Sequence, residues 1–268
     1  MSQPQMEDVG ALMRAVAAEV IWPRFRALKD HEVMEKGAGD VVTAADIESE
    51  ARLTEALRRM APGSVVVGEE AHHEDPAILA RFDADAPVWV IDPLDGTRNF
   101  SRGRETFCML VAYVVGHEAR RGWLYDPATD RLAMAELGAG ATMDGRPLKS
   151  AAAPAEAAMI GQINLNWFPA DRRGRIERDA TRRFGTFDRL YCAGHDFLGQ
   201  ALDQRHFSFY RRLWPWDHAA GVLIRREAGG VVDRLDGAPY RAGERVEGLL
   251  SAPDRDSWAR LAEFLRAG

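Results

Sequence analysis

The stretch WVIDPLDGTRNF, Trp89 to Phe100, decides how this chain is read. An apolar run stops at two carboxylates, Asp92 and Asp95, held rigid by Pro93 and followed by a Gly96-Thr97 turn. Paired acids at the end of a buried strand call for a cation, because an unpaired buried charge is costly. Hard divalent ions such as Mg2+ take oxygen ligands of this kind and keep positions open for water and phosphate. The Gly-Thr turn adds backbone N–H groups suited to an anion. The segment therefore predicts a metal-dependent phosphate site at a strand end.

Working outward, Ser64 to Glu70 (SVVVGEE) reads as a second strand, terminating in Glu69 and Glu70. Trp216-Asp217-His218-Ala219-Ala220-Gly221 puts a further acid at the head of a helix predicted from Asp217 to about Ala228. Taken singly these are weak signals. An acidic pair after a strand is commonly a solvated turn, and a lone Asp is a good helix cap.

Upstream, Val9, Leu12, Met13, Val16, Val20 and Ile21 recur at helical spacing between Glu7 and about Leu28, with Pro23 disturbing the end. A loop carrying Lys36 then hands over to a helix at Thr43, where Thr43 and Asp46 are spaced as a capping box. Downstream, FCMLVAYVV and RRGWLYDP read as adjacent strands that turn into RLAMAEL. A Gly- and Pro-rich segment follows, and we place the boundary between two halves there, 1–148 and 149–268.

The second half alternates. AAMIGQINL is a predicted strand, the arginine-rich stretch a helix and FDRLYC a strand. His195 to about Arg205 is a predicted helix, HFSFY a strand, VVDRL and EGLLSA strands, and Asp254 to Arg266 a final amphipathic helix. Strands cluster early and alternate with helices later. That pattern predicts an α/β (α+β) fold of two sheets layered with helices, not one doubly wound sheet.

Composition sets outer bounds. The chain has 268 residues, 46% apolar and 28% charged, ordinary values for a soluble globular protein. A formal charge of −6 argues against nonspecific nucleic-acid binding by the whole surface. Arg172, Arg173, Arg175, Arg178, Arg182 and Arg183 form a local exception, interleaved with acids. Mixed signs of this kind mark a solvated helix face first and an RNA or phosphate patch second. Only Cys108 and Cys192 are present, so no disulfide framework is expected. The N-terminus lacks the pattern of a signal peptide, and the longest apolar run is well short of the ~20 residues that span a bilayer. A cytoplasmic setting without membrane association is the expectation.

Together the motifs resemble the inositol monophosphatase family, within the wider group of metal-dependent, lithium-sensitive phosphatases. Asp92–Phe100 and Trp216–Gly221 match its two signatures, and Gly68–Glu70 and Thr43–Asp46 match two shorter ones in the same order. The resemblance implies a layered α-β-α-β-α sandwich. It implies that Glu69, Asp92 and the carbonyl of Leu94 hold one metal, and that Asp92, Asp95 and Asp217 hold a second. Asp46 and Thr97 would orient a metal-bound water together with Glu69, the amides of Gly96 and Thr97 would hold phosphate oxygens, and Glu70 would stand just behind the cluster. Lys36 matches a lysine near the phosphate. Two or three Mg2+ ions are implied, with Mn2+ a substitute and Ca2+ or Li+ inhibitory. The implied substrate is a small phosphate ester and the implied assembly a homodimer. Asp46 as a mere cap partner of Thr43, Thr97 as a turn hydroxyl and Lys36 as a solvated loop residue stay open.

The second half departs from the pattern. Members that hydrolyse inositol phosphates place a glutamate seven residues before the Trp-Asp aspartate, where this chain has Tyr210, followed by Arg211 and Arg212. A small-residue segment is replaced by Cys192-Ala193-Gly194-His195-Asp196-Phe197. Losing an acceptor matched to a substrate hydroxyl changes discrimination strongly. Gly194, His195, Tyr210 and Arg211, with Asp95, Asp217 and the Gly96-Thr97 turn, are the expected substrate-facing residues. Inositol 1-phosphate is the default substrate. Histidinol phosphate, fructose 1,6-bisphosphate and 3′-phosphoadenosine 5′-phosphate are alternatives of the same chemistry. A regulatory binding role, as in extragenic-suppressor relatives, is the alternative from another class.

Overall fold

The computed structural model describes residues 5–37 and 40–268, with the backbone alone at 30, 36, 37, 40 and 186. Helix α1 (Met6–Val16) loosens into a π turn at Ala17–Ile21 and a 3-10 turn at Trp22–Arg24. The predicted long helix therefore ends where Pro23 removes an N–H and crowds the preceding turn. A hairpin of β1 (Val33–Gly37) and β2 (Asp40–Thr43) leads into α2 (Ala44–Met60). Thr43 and Asp46 form the expected capping box at its start.

Next come β3 (Val65–Gly68), α3 (Glu69–Glu74), β4 (Val88–Asp95), α4 (Thr97–Ser101) and β5 (Cys108–Val115). They are followed by β6 (Glu118–Asp126), β7 (Arg131–Glu136), β8 (Gly140–Met143) and β9 (Arg146–Leu148). These strands make a seven-stranded sheet in sequential order, parallel only between β3 and β4. The remainder supplies β10 (Ile160–Ile163), α5 (Ala170–Arg183), β11 (Thr186–Phe187), α6 (Ala193–Ala201) and β12 (Phe207–Arg212). Helix α7 (Pro215–Glu227), β13 (Val231–Arg234), β14 (Glu247–Ala252) and α8 (Arg255–Ala267) complete the chain. The second sheet has five strands in the order β11-β10-β12-β14-β13.

Side-chain alternation builds the layers. On β4, Trp89 and Ile91 join a core with Val9, Met13, Leu53 and Leu57 of α1 and α2. Val88 and Val90 face the other way, into a core with Phe197 of α6 and Ala219, Ala220 and Leu223 of α7. Val232 and Leu249 of the second sheet close that same core from its far side. Leu250 and Ala252 point outward again, onto Ile176 of α5 and Trp258, Leu261 and Leu265 of α8. The result is an α-β-α-β-α sandwich, as the pattern of period two in strands requires when both sheet faces are covered.

Two local readings change. Glu69 and Glu70 open helix α3 instead of ending a strand. The predicted strand FDRLYC shrinks to Thr186–Phe187, because the Leu190 carbonyl is taken by Asn99 Nδ2 at 2.9 Å. No helix among the described residues is long and apolar enough to cross a membrane.

Candidate metal and phosphate site

An irregularity in β4 makes the site. Asp92 stands opposite Leu110 of β5, and Asp95 stands opposite Cys108, so three steps on one strand match two on the other. Strict alternation would turn Asp95 away from Asp92; the extra residue returns both to one face. Leu94, between them, is buried on the opposite face. Pro93 suits such a bulge, having no N–H to lose from the ladder. Gly96 follows with a φ of 86°, and a Cβ there would lie 2.7 Å from the Thr106 carbonyl. Only glycine turns the chain at this point.

Distant elements converge on the same edge. Glu69 starts α3 at the carboxyl end of β3, which lies parallel to β4. Asp217 sits in the first turn of α7, with Pro215 opening the helix. Glu69, Asp92, Leu94, Asp95, Gly96, Thr97 and Asp217 line one cavity of about 150 Å³, together with Val41, Arg98 and Tyr191. The sequence placed these seven predicted residues in three separate stretches.

Hydrogen bonds fix how the acids present themselves. Asp46 is fully buried and its Oδ2 accepts from the Thr43 amide at 2.8 Å and the Thr43 hydroxyl at 2.5 Å. Its Oδ1 is left to Thr97, whose Oγ1 lies 2.8 Å away and also 2.9 Å from the Leu94 carbonyl. One hydroxyl proton serves one of these acceptors at a time. The cap reading of Asp46 and its pairing with Thr97 are thus both true, one per oxygen. Asp95 Oδ2 accepts from the Gly194 amide at 2.6 Å and faces the Cys192 thiol at 3.2 Å. Asp92 Oδ1 accepts from the Leu94 amide at 3.1 Å.

Electrostatics shows what the cluster lacks. Burial pushes the Asp92 carboxyl well above its ordinary value, and repulsion from Glu69, Asp95 and Asp217 pushes it further. Burial likewise raises Asp95, against the opposing pull of the Gly194 amide. Asp46 is pushed up to about 7, by burial first and by the Glu70 charge second. Four hard oxygen donors that repel one another in a buried corner suit divalent cations of the Mg2+ type.

The chain matches the model of the inositol monophosphatase family over residues 5–266. The chain belongs to that family. It is 30% identical over 246 residues to the inositol-1-monophosphatase of Synechocystis, covering 88% of this chain and 81% of the relative. It is 32% identical over 252 residues to the Nus factor SuhB of Haemophilus influenzae, covering 89% and 88%. An IMPase of Thermotoga maritima superposes with a TM-score of 0.81 at 24% identity, over 97% of this chain and 96% of that one. An IMPase/NADP phosphatase solved with NADP and Ca2+ gives 0.83 at 18%, over 100% and 98%.

Within this family fold, a second cavity of about 550 Å³ adjoins the first and shares Asp95, Tyr191 and Asp217 with it. Tyr210 and Arg211 line it, as do Cys192, Arg173, Arg189, Arg212 and Trp214. The Tyr210 hydroxyl donates to Asp196 Oδ2 at 2.6 Å, and Arg211 is paired with Glu247 at 3.0 Å. His195 does not line this cavity. It lines another of about 300 Å³, where Nε2 lies 3.8 Å from Asp126. Gly194 acts through its amide on Asp95. Glu70 lines a further cavity with Glu50 and Glu74. The Lys36 side chain lies outside the described residues.

Sequence reasoning missed Glu50, Arg189 and Tyr191. Tyr191 has a φ of 55° and is 57% exposed where the two cavities meet, a strained backbone of the kind found at ligand clamps. It lies in FDRLYC, read from sequence as a strand, where nothing singles it out. Glu50 caps α3 by accepting from the Glu70 and Ala71 amides, both at 2.8 Å. It reaches them only because position 68 is glycine: a Cβ there would stand 2.3 Å from the Glu50 carboxyl carbon. Gly68→Ala should therefore unseat the cap and shift Glu69. A loss of ~1–2 kcal/mol of stability and at least a tenfold higher Mg2+ requirement are expected, read by thermal melts and Mg2+ titration of activity.

Proposed function

We propose that this chain is a Mg2+-dependent phosphomonoesterase acting on a small polyol or sugar phosphate that carries a second anionic group. The observation that carries the reading is the junction of the two cavities. A corner of Glu69, Asp92, Asp95 and Asp217 opens through Asp95, Tyr191 and Asp217 into a chamber bordered by Arg173, Arg189 and Arg212. Among the described residues these three arginines form no ion pair with a carboxylate.

Glu69, Asp92, Asp95, Asp217 and the Leu94 carbonyl would hold Mg2+, which when bound would supply an acidified water and charge compensation for the leaving oxygen. The chain's own residues do the rest. Asp46, fixed by Thr43, orients the Thr97 hydroxyl, and that hydroxyl holds the attacking water and accepts its proton's hydrogen bond. The amides of Gly96 and Thr97, at the head of a left-handed turn, bind phosphate oxygens. Tyr210 offers a ring face in place of a carboxylate, since its hydroxyl is committed to Asp196. Arg189 and Arg212 face the second anion, where planar donors suit phosphate or carboxylate.

A phosphate-release screen of monoesters tests this, with inositol 1-phosphate as the reference that lacks a second anion. EDTA should abolish turnover and Mg2+ restore it, with Mn2+ a weaker substitute and Li+ and Ca2+ inhibitory. Arg212→Met should raise KM for the preferred ester about tenfold or more and leave inositol 1-phosphate unaffected. An equal effect on both substrates would remove the second anion from the proposal. A homodimer belongs to the same reading and is checked by sedimentation.

The SuhB relatives support a second reading, a binding role. Arg172, Arg175, Arg178 and Arg182 lie exposed along α5 and would be its surface. Asp95→Asn separates the two: retained cellular function favours binding, and loss with an intact fold favours catalysis.

A further inference from the structure

Behind the carboxylate corner, two thiols and an imidazole meet. Cys108 Sγ and Cys192 Sγ are 3.6 Å apart, and both cysteines are free. One ring nitrogen of His195 lies within 4.8 Å of both sulfurs. Asp95 Oδ2 completes the group, 3.2 Å from Cys192 Sγ and 3.7 Å from Cys108 Sγ. A tetrahedral zinc site has Zn–S of about 2.3 Å and Zn–N or Zn–O of about 2.0–2.2 Å, which puts its ligand atoms roughly 3.3–3.8 Å apart. The sulfur–sulfur distance of 3.6 Å and the Cys108–Asp95 distance of 3.7 Å match those edges, and the Cys192–Asp95 distance of 3.2 Å is slightly short of them.

The surroundings favour a metal over mere packing. A Cβ on residue 194 would stand 2.1 Å from Cys108 Sγ, so Gly194 is what admits the sulfur. His195 Nε2 lies 3.1 Å from the Phe107 carbonyl. With Nε2–H donated there, Nδ1 would be the nitrogen left for a metal, the arrangement by which a backbone carbonyl fixes a metal-binding tautomer. Cys192 and Asp95 line the large cavity and His195 lines the smaller one.

We propose that Cys108, Cys192, His195 and Oδ2 of Asp95 form a site for one thiophilic divalent ion such as Zn2+, distinct from the Mg2+ cluster and coupled to it through Asp95. Soft sulfur ligands select zinc over magnesium. Binding releases the two thiol protons to solvent and draws Asp95 Oδ2 from the Gly194 amide toward the metal. The coupling, though not the site, rests on the Mg2+ reading above. With Asp95 shared, zinc acts as an inhibitor that raises the Mg2+ requirement.

Cobalt is the probe. Added to the reduced protein in excess Mg2+, Co2+ should give a thiolate-to-metal charge-transfer band that saturates at one ion per chain and is displaced by Zn2+. The band should fall to about half its intensity or less in Cys108→Ser and in Cys192→Ser, each of which keeps an O–H donor toward Asp95, and disappear when both are replaced. Absence of the band in the wild-type protein, or an undiminished band in either single variant, overturns the site. X-ray absorption of the zinc-loaded wild type provides a check that needs no variant: two sulfur neighbours support the site, and oxygen and nitrogen alone overturn it. Stoichiometric Zn2+ should raise the Mg2+ concentration for half-maximal activity at least tenfold; an unchanged requirement would overturn the coupling through Asp95. A chain without phosphatase activity would still show the cobalt band, so the two readings fail separately.

Discussion

Asp92→Asn should lower kcat/KM by at least ~10³-fold at saturating Mg2+ and, in the absence of metal, make the protein more stable. Asp92 is 1% exposed and is crowded by Glu69, Asp95 and Asp217, which push its carboxyl upward. Asparagine has nearly the same shape and no charge, so in the metal-free chain it relieves repulsion without opening a cavity. With Mg2+ bound, the same change would remove the carboxylate that the resemblance assigns to both ions. Metal charge stabilisation is worth several kcal/mol, and about 4 kcal/mol corresponds to ~10³ in rate. Activity assays and melts with and without Mg2+ check the pair of effects. A variant that is inactive and destabilised without metal would mean that Asp92 holds up the fold instead.

Stability without metal should rise as pH falls from about 8 to about 5, and Mg2+ should reverse that slope. Asp46 is raised to about 7, Asp196 to about 6, and Asp92 and Asp95 are raised as well, burial leading in each case. A carboxyl whose folded value exceeds its unfolded one binds more protons in the folded state. Its contribution is therefore unfavourable at high pH and fades as pH drops through the folded value toward the ~3.9 of an unfolded aspartate. Below about pH 4 the gain is complete. There the lowered acids, such as exposed Asp236 and half-buried Asp254, begin to lose their own contribution. The melting temperature in EDTA should thus peak near pH 5, about 5 °C or more above its value at pH 8. With Mg2+ the carboxylates are neutralised by metal, and pH 8 should become the more stable condition. A flat profile in EDTA would show that the cluster is already compensated.

The layered fold and the carboxylate corner were legible because their signals are local. The alternation in Trp89–Ile91, the capping box at Thr43 and the glycine after Asp95 each act over a few residues. The position of Asp95 was less legible: only pairing with β5 reveals that a bulge turns it beside Asp92. The second cavity was least legible. Arg189 and Tyr191 lie in FDRLYC, read as a strand, and the irregular backbone found there brings them to the cavity wall. His195, expected at the substrate, is directed instead to Phe107 and Asp126 by its place in the first turn of α6. Helical phase at that start depends on Cys192 being the cap, which no local rule singles out.

Helix α7 lies on the inner face of the seven-stranded sheet, packing Ala219, Ala220 and Leu223 against Val90, Leu110 and Leu124. Synthesis runs in one direction, and about 70 residues separate the end of β9 from the start of α7. At roughly 5–20 residues per second, the sheet leaves the ribosome some 3–14 s before its cover does. During that interval an apolar surface meant for the interior faces solvent. Newborn chains should therefore associate with hydrophobic-binding chaperones until Glu227 has emerged, and a chain stopped after Leu148 should aggregate. Ribosome profiling of chaperone-bound nascent chains would place that window.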